Sequence, residues 1–189
     1  MARCESGVRR CYGTTAEATI ESCTGRAFAL GAIVPEAADF GGVLSSDPAI
    51  NPDFFSWNAA FLHYCDGASF GSNRRDPINV TKDGQPTQIW MRGRANFDAL
   101  IDTLQSVHGM ASATEIVLSG GSAGGLAVFY NLDHLADLVA PHIRLTGFPD
   151  AGFFLDASAA SDQARTKAPV SLTLFLCCPY SRGARDACA

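Results

Sequence analysis

No stretch of the chain is apolar for long enough to cross a bilayer. The longest candidate, Val170 to Cys178, is about half of the roughly 20 residues a spanning helix needs. Charge is also scarce, at 17% Asp, Glu, Lys and Arg with a formal net charge of −5. The basic residues are scattered, so no basic stripe marks a nucleic-acid partner. There is no C-x-x-C pair, and the few histidines do not stand at zinc-ligand spacings beside the cysteines, which argues against a structural zinc. The opening MARCESGVRR has no apolar h-region and is not a signal peptide. No internal repeat and no low-complexity tract occur.

What remains is a somewhat apolar chain of 189 residues, 47% of them hydrophobic. That suits a single folded unit with a sizeable core. Seven cysteines, at positions 4, 11, 23, 65, 177, 178 and 188, are many for a reducing compartment. They point to disulfides in an oxidising one, with at least one cysteine left over. Adjacent Cys177 and Cys178 are poorly placed to bond each other.

The first fifty residues are rich in Ala, Gly, Ser and Thr and read as irregular, with one short helix expected around Thr15 to Cys23. Pro48 and Pro52 keep SSDPAINPDFFSWN out of regular structure. AAFLHYC (59–65) reads as a buried strand. GSNRRDPINVTKDGQPTQ reads as a polar loop. Phe97, Leu100, Ile101, Leu104 and Val107 recur at helical spacing, with Gly109 as the stop. EIVLSG is short and apolar, the pattern of a strand buried on both faces. Leu126, Phe129, Tyr130, Leu132, Leu135 and Leu138 predict a second helix, closed before Pro141. IRLTGFPDAGFF reads as a further strand running into a loop. Strand and helix alternate, which predicts an α/β fold with a parallel sheet flanked by helices.

Between the EIVLSG strand and the second helix lies Gly120-Gly121-Ser122-Ala123-Gly124. A serine hydroxyl is a poor nucleophile unless it is held exposed and beside a base. A G-x-S-x-G turn between strand and helix supplies the exposed position, and the Ala123 amide then faces a developing oxyanion at a helix N-terminus. The competing reading is a Gly-rich connection with no chemistry. A phosphate-binding loop fits less well: there is no Walker lysine, and GGSAGG does not match G-x-G-x-x-G.

Four stretches, NPDFFSWN (51–58), YCDGASF (64–70), VLSGGSAGGLA (117–127) and PDAGFFLD (149–156), occur in an order that resembles the pectin acetylesterase/Notum family of carboxylesterases. CYGTTAEATIESC (11–23) resembles the family segment that bears two cysteines. The match spans about residues 7 to 156. It implies a partial α/β-hydrolase-like domain over 1–156, with 157–189 left as an unassigned tail and the chain truncated at both ends. The resemblance implies Ser122 as nucleophile, Ala123 as one oxyanion N–H, and Gly120, Gly121 and Gly124 as the elbow glycines. The family's GGGWC loop aligns with Gly7-Val8-Arg9-Arg10-Cys11, so the backbone amides of Arg9 and Arg10 would be the remaining oxyanion donors. It further implies that Cys11 and Cys23 are oxidised in a secreted parent, one option being a bond to each other.

The resemblance places the triad acid and histidine well beyond the DAGFF motif and assigns neither to a residue of this chain: acids do follow Ser122, among them Asp150, Asp156 and Asp162, but no histidine follows His142. Of His63, His108, His134 and His142, the last two follow Ser122. His134 would lie roughly 18 Å down the second helix from it. His142 would follow the end of that helix. His63, in a strand that could neighbour the nucleophile strand, is the one geometric candidate, and its more common reading is a core or edge-facing histidine. His108 reads as a solvated residue at a helix end. Asp66 and Asp150 read as turn formers, and Asp150 and Asp156 fall in a motif that resembles a pocket or structural element. The expected activity is hydrolysis of acetyl esters on a cell-wall polysaccharide through an acyl-enzyme, by a secreted monomer with no metal or organic cofactor. Two alternatives stand beside it: a catalytically silent domain, and a Notum-like deacylase of a fatty-acylated protein.

Overall fold

The computed structural model describes residues 16–27, 41–62, 67–152 and 171–177. In chain order these form helix α1 (Ala16–Ala27), strand β1 (Asn58–Leu62), strands β2 (Ile78–Lys82) and β3 (Gln85–Ile89), and helix α2 (Gly93–Ser106). Strand β4 (Glu115–Gly121), helix α3 (Ala123–Leu138), strand β5 (Arg144–Asp150) and strand β6 (Ser171–Cys177) follow. Four strands make one sheet in the order β1-β6-β4-β5, and β2 pairs with β3 separately.

The β4–α3–β5 unit is the frame of the molecule. β4 and β5 are parallel, in register from Glu115 opposite Arg144 to Gly121 opposite Asp150. Parallel neighbours need a crossover, and α3 provides it. One face of β4 is buried through Ile116, Leu118 and Gly120, and the alternate residues are half-buried. The expectation of burial on both faces is therefore corrected: the alternation is that of a strand covered on one side. On β5 the same covered side holds Leu145, Gly147 and Pro149, and Phe148 on the other side is 62% exposed. At Gly147 the helix comes so close that a Cβ would lie 2.6 Å from Leu132 Cδ2 and 3.1 Å from Val128 Cγ1.

The sheet is mixed rather than purely parallel. β6 runs antiparallel to both β4 and β1, and its Leu174 is fully buried opposite Leu118. These residues come from the tail that sequence reading left unassigned. The strand expected at 59–65 appears as β1, but among the described strands it lies at the edge, with only Leu62 of its residues buried.

α3 buries Ala127, Val128, Asn131 and Leu135, and leaves Phe129 and Tyr130 exposed. That corrects the placement of Phe129 and Tyr130 on its apolar face. α2 buries Phe97 and Ile101 as expected, but it ends at Ser106 and leaves Val107 exposed. Gly109 then turns the chain with φ 73°, and Met110 enters the core. The Phe97 ring meets Phe70 edge-on, with centroids 6.3 Å apart. The irregular segment before β1 is knitted by Asn51, whose Nδ2 donates to the carbonyls of Val43 and Ser45, both at 2.9 Å.

The polar loop expected around 71–88 instead contains the β2–β3 hairpin. Asp83 and Gly84, at φ 50° and 77°, form its two-residue turn. Two positive φ values in succession define the turn whose twist suits a hairpin. The Asp-Gly pair between alternating Ile78-x-Val80 and Thr87-x-Ile89 was the signal. Open space surrounds Gly84, so Gly84→Ala isolates the dihedral cost. It should lower stability by about 1 kcal/mol, read as a lower urea midpoint at unchanged m-value.

Candidate active site

β4 delivers the chain to Ser122 at the C-terminal end of the parallel pair. Ser122 adopts φ 56°, ψ −117°, a region that side chains rarely occupy. Such a conformation costs of order 1–3 kcal/mol and persists only where neighbours impose it. The Ser122 N–H donates to the Asp150 carbonyl at 2.9 Å, and its own carbonyl accepts the Leu126 N–H at 3.1 Å. Ser122 is thus the N-cap residue of α3. Serines are favoured there because the hydroxyl usually caps a first-turn amide. Here the side chain makes no cap bond. Strain is accepted and the usual return for it is absent.

Ala123, Gly124 and Gly125 open the helix and are all buried. Their amides carry the partial positive charge of a helix N-terminus. The elbow glycines expected from the sequence are Gly120, Gly121 and Gly124. Gly121 has room beside it: a Cβ there would meet Asp150 Oδ2 only at 4.0 Å. The tight contact lies one residue on from Gly124, where a Cβ on Gly125 would sit 2.6 Å from the Gly152 Cα and 2.8 Å from the Asp150 carbonyl oxygen. Sequence reasoning missed Gly125 and Gly152. The doubled Gly124-Gly125 and the glycine of the DAG turn were the available signals.

Asp150 is exposed, and Ala151 after it has φ 46°, so Asp150 begins a turn as expected. His134 is joined to Asp98 on α2, with Nε2 2.6 Å from Oδ1, and its ring lies against Phe97. It is twelve residues into α3 from Ser122 and does not approach it. His108 and His142 are exposed and precede β4 and β5, at the opposite end of the strands from Ser122. Among the described residues, then, no histidine stands beside the serine. Arg9, Arg10, Cys11, His63, Cys65, Asp66, Asp156 and Asp162 lie outside the described residues. Cys23, on α1, is buried and disulfide-bonded. No group of three or more His, Cys, Asp or Glu able to hold a metal occurs among the described residues. None of their helices is long and apolar enough to cross a membrane.

A sheet with a parallel pair, a serine on a sharp turn and a helix leaving it is an α/β-hydrolase-like architecture. Comparison with solved structures agrees: the Wnt deacylase Notum from Drosophila superposes with a TM-score of 0.60 at 26% identity, over 80% of this chain and 43% of that one. The pectinacetylesterase family model matches residues 7–172. Pectin acetylesterase 5 of Arabidopsis thaliana is 40% identical over 141 residues, which is 73% of this chain and 32% of the relative. The palmitoleoyl-protein carboxylesterase NOTUM of Drosophila melanogaster is 31% identical over 140 residues, 69% of this chain and 21% of the relative. The chain belongs to the pectinacetylesterase family. It spans about a third of the length of pectin acetylesterases 5 and 4 of Arabidopsis thaliana.

Proposed function

We propose that the chain carries the nucleophile half of a serine carboxylesterase, acting on acetyl esters of a cell-wall polysaccharide. The observation that supports this most is the backbone of Ser122. A strained serine that caps nothing, at the end of a parallel strand and the start of a helix, fits the demands of an exposed nucleophile. Its hydroxyl would attack the acyl carbon and give up its proton to a general base. The tetrahedral oxyanion would form against the Ala123 N–H, with the amides of Arg9 and Arg10 as the remaining donors. The sugar hydroxyl would leave with a proton, and water would then release acetate from the acyl-serine.

The acetyl-polysaccharide reading draws on the higher identity to pectin acetylesterase 5 than to NOTUM. A fatty-acylated protein is the substrate alternative. The disulfide at Cys23 supports an oxidising, extracellular compartment, and the proposed species is a monomer. A second reading, a catalytically silent domain, is favoured by one observation: no described histidine adjoins Ser122.

A fluorophosphonate probe followed by peptide mass mapping separates these readings. The esterase reading expects stoichiometric label on Ser122, with faster acetate release from acetylated pectin than fatty-acid release from a palmitoleoylated peptide. A folded chain that takes up no label would establish the silent reading. The opposite acyl preference would move the substrate to the acylated protein.

A further inference from the structure

We infer that the chain leaving β5, Asp150 to Gly152, is a positioning element for the nucleophile, with Gly152 as its determining residue. The catalytic part of this rests on the reading of Ser122 as nucleophile.

Two contacts bind this segment to the elbow. The Asp150 carbonyl receives the Ser122 N–H at 2.9 Å. Gly152 lies directly against the first turn of α3: a Cβ on Gly152 would stand 2.7 Å from both the Cα and the carbonyl carbon of Gly125. Real Cβ atoms essentially never come that close to another heavy atom, and the atoms met are backbone, which has no rotamer to change. Neither Gly125 nor Gly152 has a positive φ. Their need for glycine is therefore steric and not conformational. The helix start and the β5 exit touch main chain to main chain, and the distance between them sets how Ser122 is held. A side chain at position 152 would push the exit away from α3. The Asp150 carbonyl would move with it, and the Ser122 amide would lose the partner that sustains its φ of 56°.

Gly147 provides the comparison. It lies on the same strand and is just as crowded, but its close neighbours are Leu132 and Val128 side chains in the middle of α3, away from the elbow. Gly147→Ala perturbs helix packing without touching the Ser122 hydrogen bond. Wild type, Gly152→Ala and Gly147→Ala of the full chain are to be compared by amide hydrogen exchange at Ser122 and by fluorophosphonate labelling rate per folded molecule.

The expected result is that Gly152→Ala loses about tenfold or more of the protection at Ser122 and slows labelling on the order of 100-fold, the effect of an ångström-scale misplacement. Gly147→Ala should keep both close to wild type while lowering the unfolding midpoint. Wild-type behaviour in Gly152→Ala, or an equal loss in both variants, overturns the inference. If Gly152→Ala does not fold, the wild-type exchange decides. A Ser122 amide as protected as the β4 interior supports the clamp, and one exchanging like an unbonded helix-start amide refutes it. If wild type takes no label, the esterase reading fails by itself, and the exchange comparison still tests the positioning.

Discussion

Ser122→Ala is expected to abolish fluorophosphonate labelling and, in a longer protein that also supplies the general base, to lower ester turnover by roughly 10⁶-fold, the effect of removing a serine nucleophile. The same substitution should leave stability within about 0.5 kcal/mol of wild type. That second half is informative, because replacing an N-cap serine by alanine ordinarily costs about 0.5–2 kcal/mol. Here the hydroxyl caps no amide, so nothing is lost from the helix. Ser122→Gly goes further. At φ 56°, ψ −117° glycine is at ease where serine is strained, so this variant should be inactive and about 1 kcal/mol more stable. A site that gains stability when its reactive group is deleted has been held for chemistry and not for folding. Turnover and urea unfolding of the two variants together check this. A loss of stability in Ser122→Ala comparable to an ordinary cap would show that the side chain does structural service.

The largest expected loss of stability belongs to Phe97→Ala, at about 3–5 kcal/mol against a total of about 5–15 kcal/mol for a folded domain. Phe97 is fully buried on α2 and joins two parts of the fold. Its ring meets Phe70 edge-on and also lies 6.3 Å from the His134 ring on α3. Phe70 and the preceding Ser69 both have positive φ, 55° and 53°, so the chain there is held against its own preference by what it packs on. The Asn131 amide adds a tie, donating to the Ser69 carbonyl at 3.4 Å and to the Ala127 carbonyl at 2.7 Å. Removing the Phe97 ring opens a cavity beneath this segment and frees its strain. The unfolding midpoint should fall steeply, with Phe97→Leu recovering most of the loss. A change below about 1 kcal/mol for Phe97→Ala would mean that the core closes over the gap.

The elements around the elbow were legible because several signals agreed there. An apolar run, a Gly-rich turn with a serine and a helical repeat can be reconciled in few ways, and β4, Ser122 and α3 stand where those signals put them. The same agreement located α2 and β5. Reading failed where a residue's surroundings come from distant chain. Phe129 and Tyr130 have helical spacing but face away from the sheet, because the narrow buried stripe of α3 is set by Gly147 drawing the helix close at Leu132 and Val128. The β2–β3 hairpin was hidden by its polar composition, although Asp83-Gly84 is a strong turn pair. Gly152 looked like a loop residue because the surface it fits, the backbone of Gly125, lies on another element. The family was legible from ordered motifs, and among the described residues no histidine comes near Ser122.

The order of strands in the main sheet has a consequence for how the protein is made. β4, α3 and β5 are contiguous in the chain and can associate as soon as they are synthesised. β1 is made before them, yet its only partner among the described strands is β6. Between Leu62 and Ser171 lie 108 residues, so at about 5–20 residues per second β1 waits several seconds or more for β6. Through that interval the edge of β1 that later meets β6 is open to whatever binds nascent chains, and the arrival of β6 covers that edge in a single pairing step.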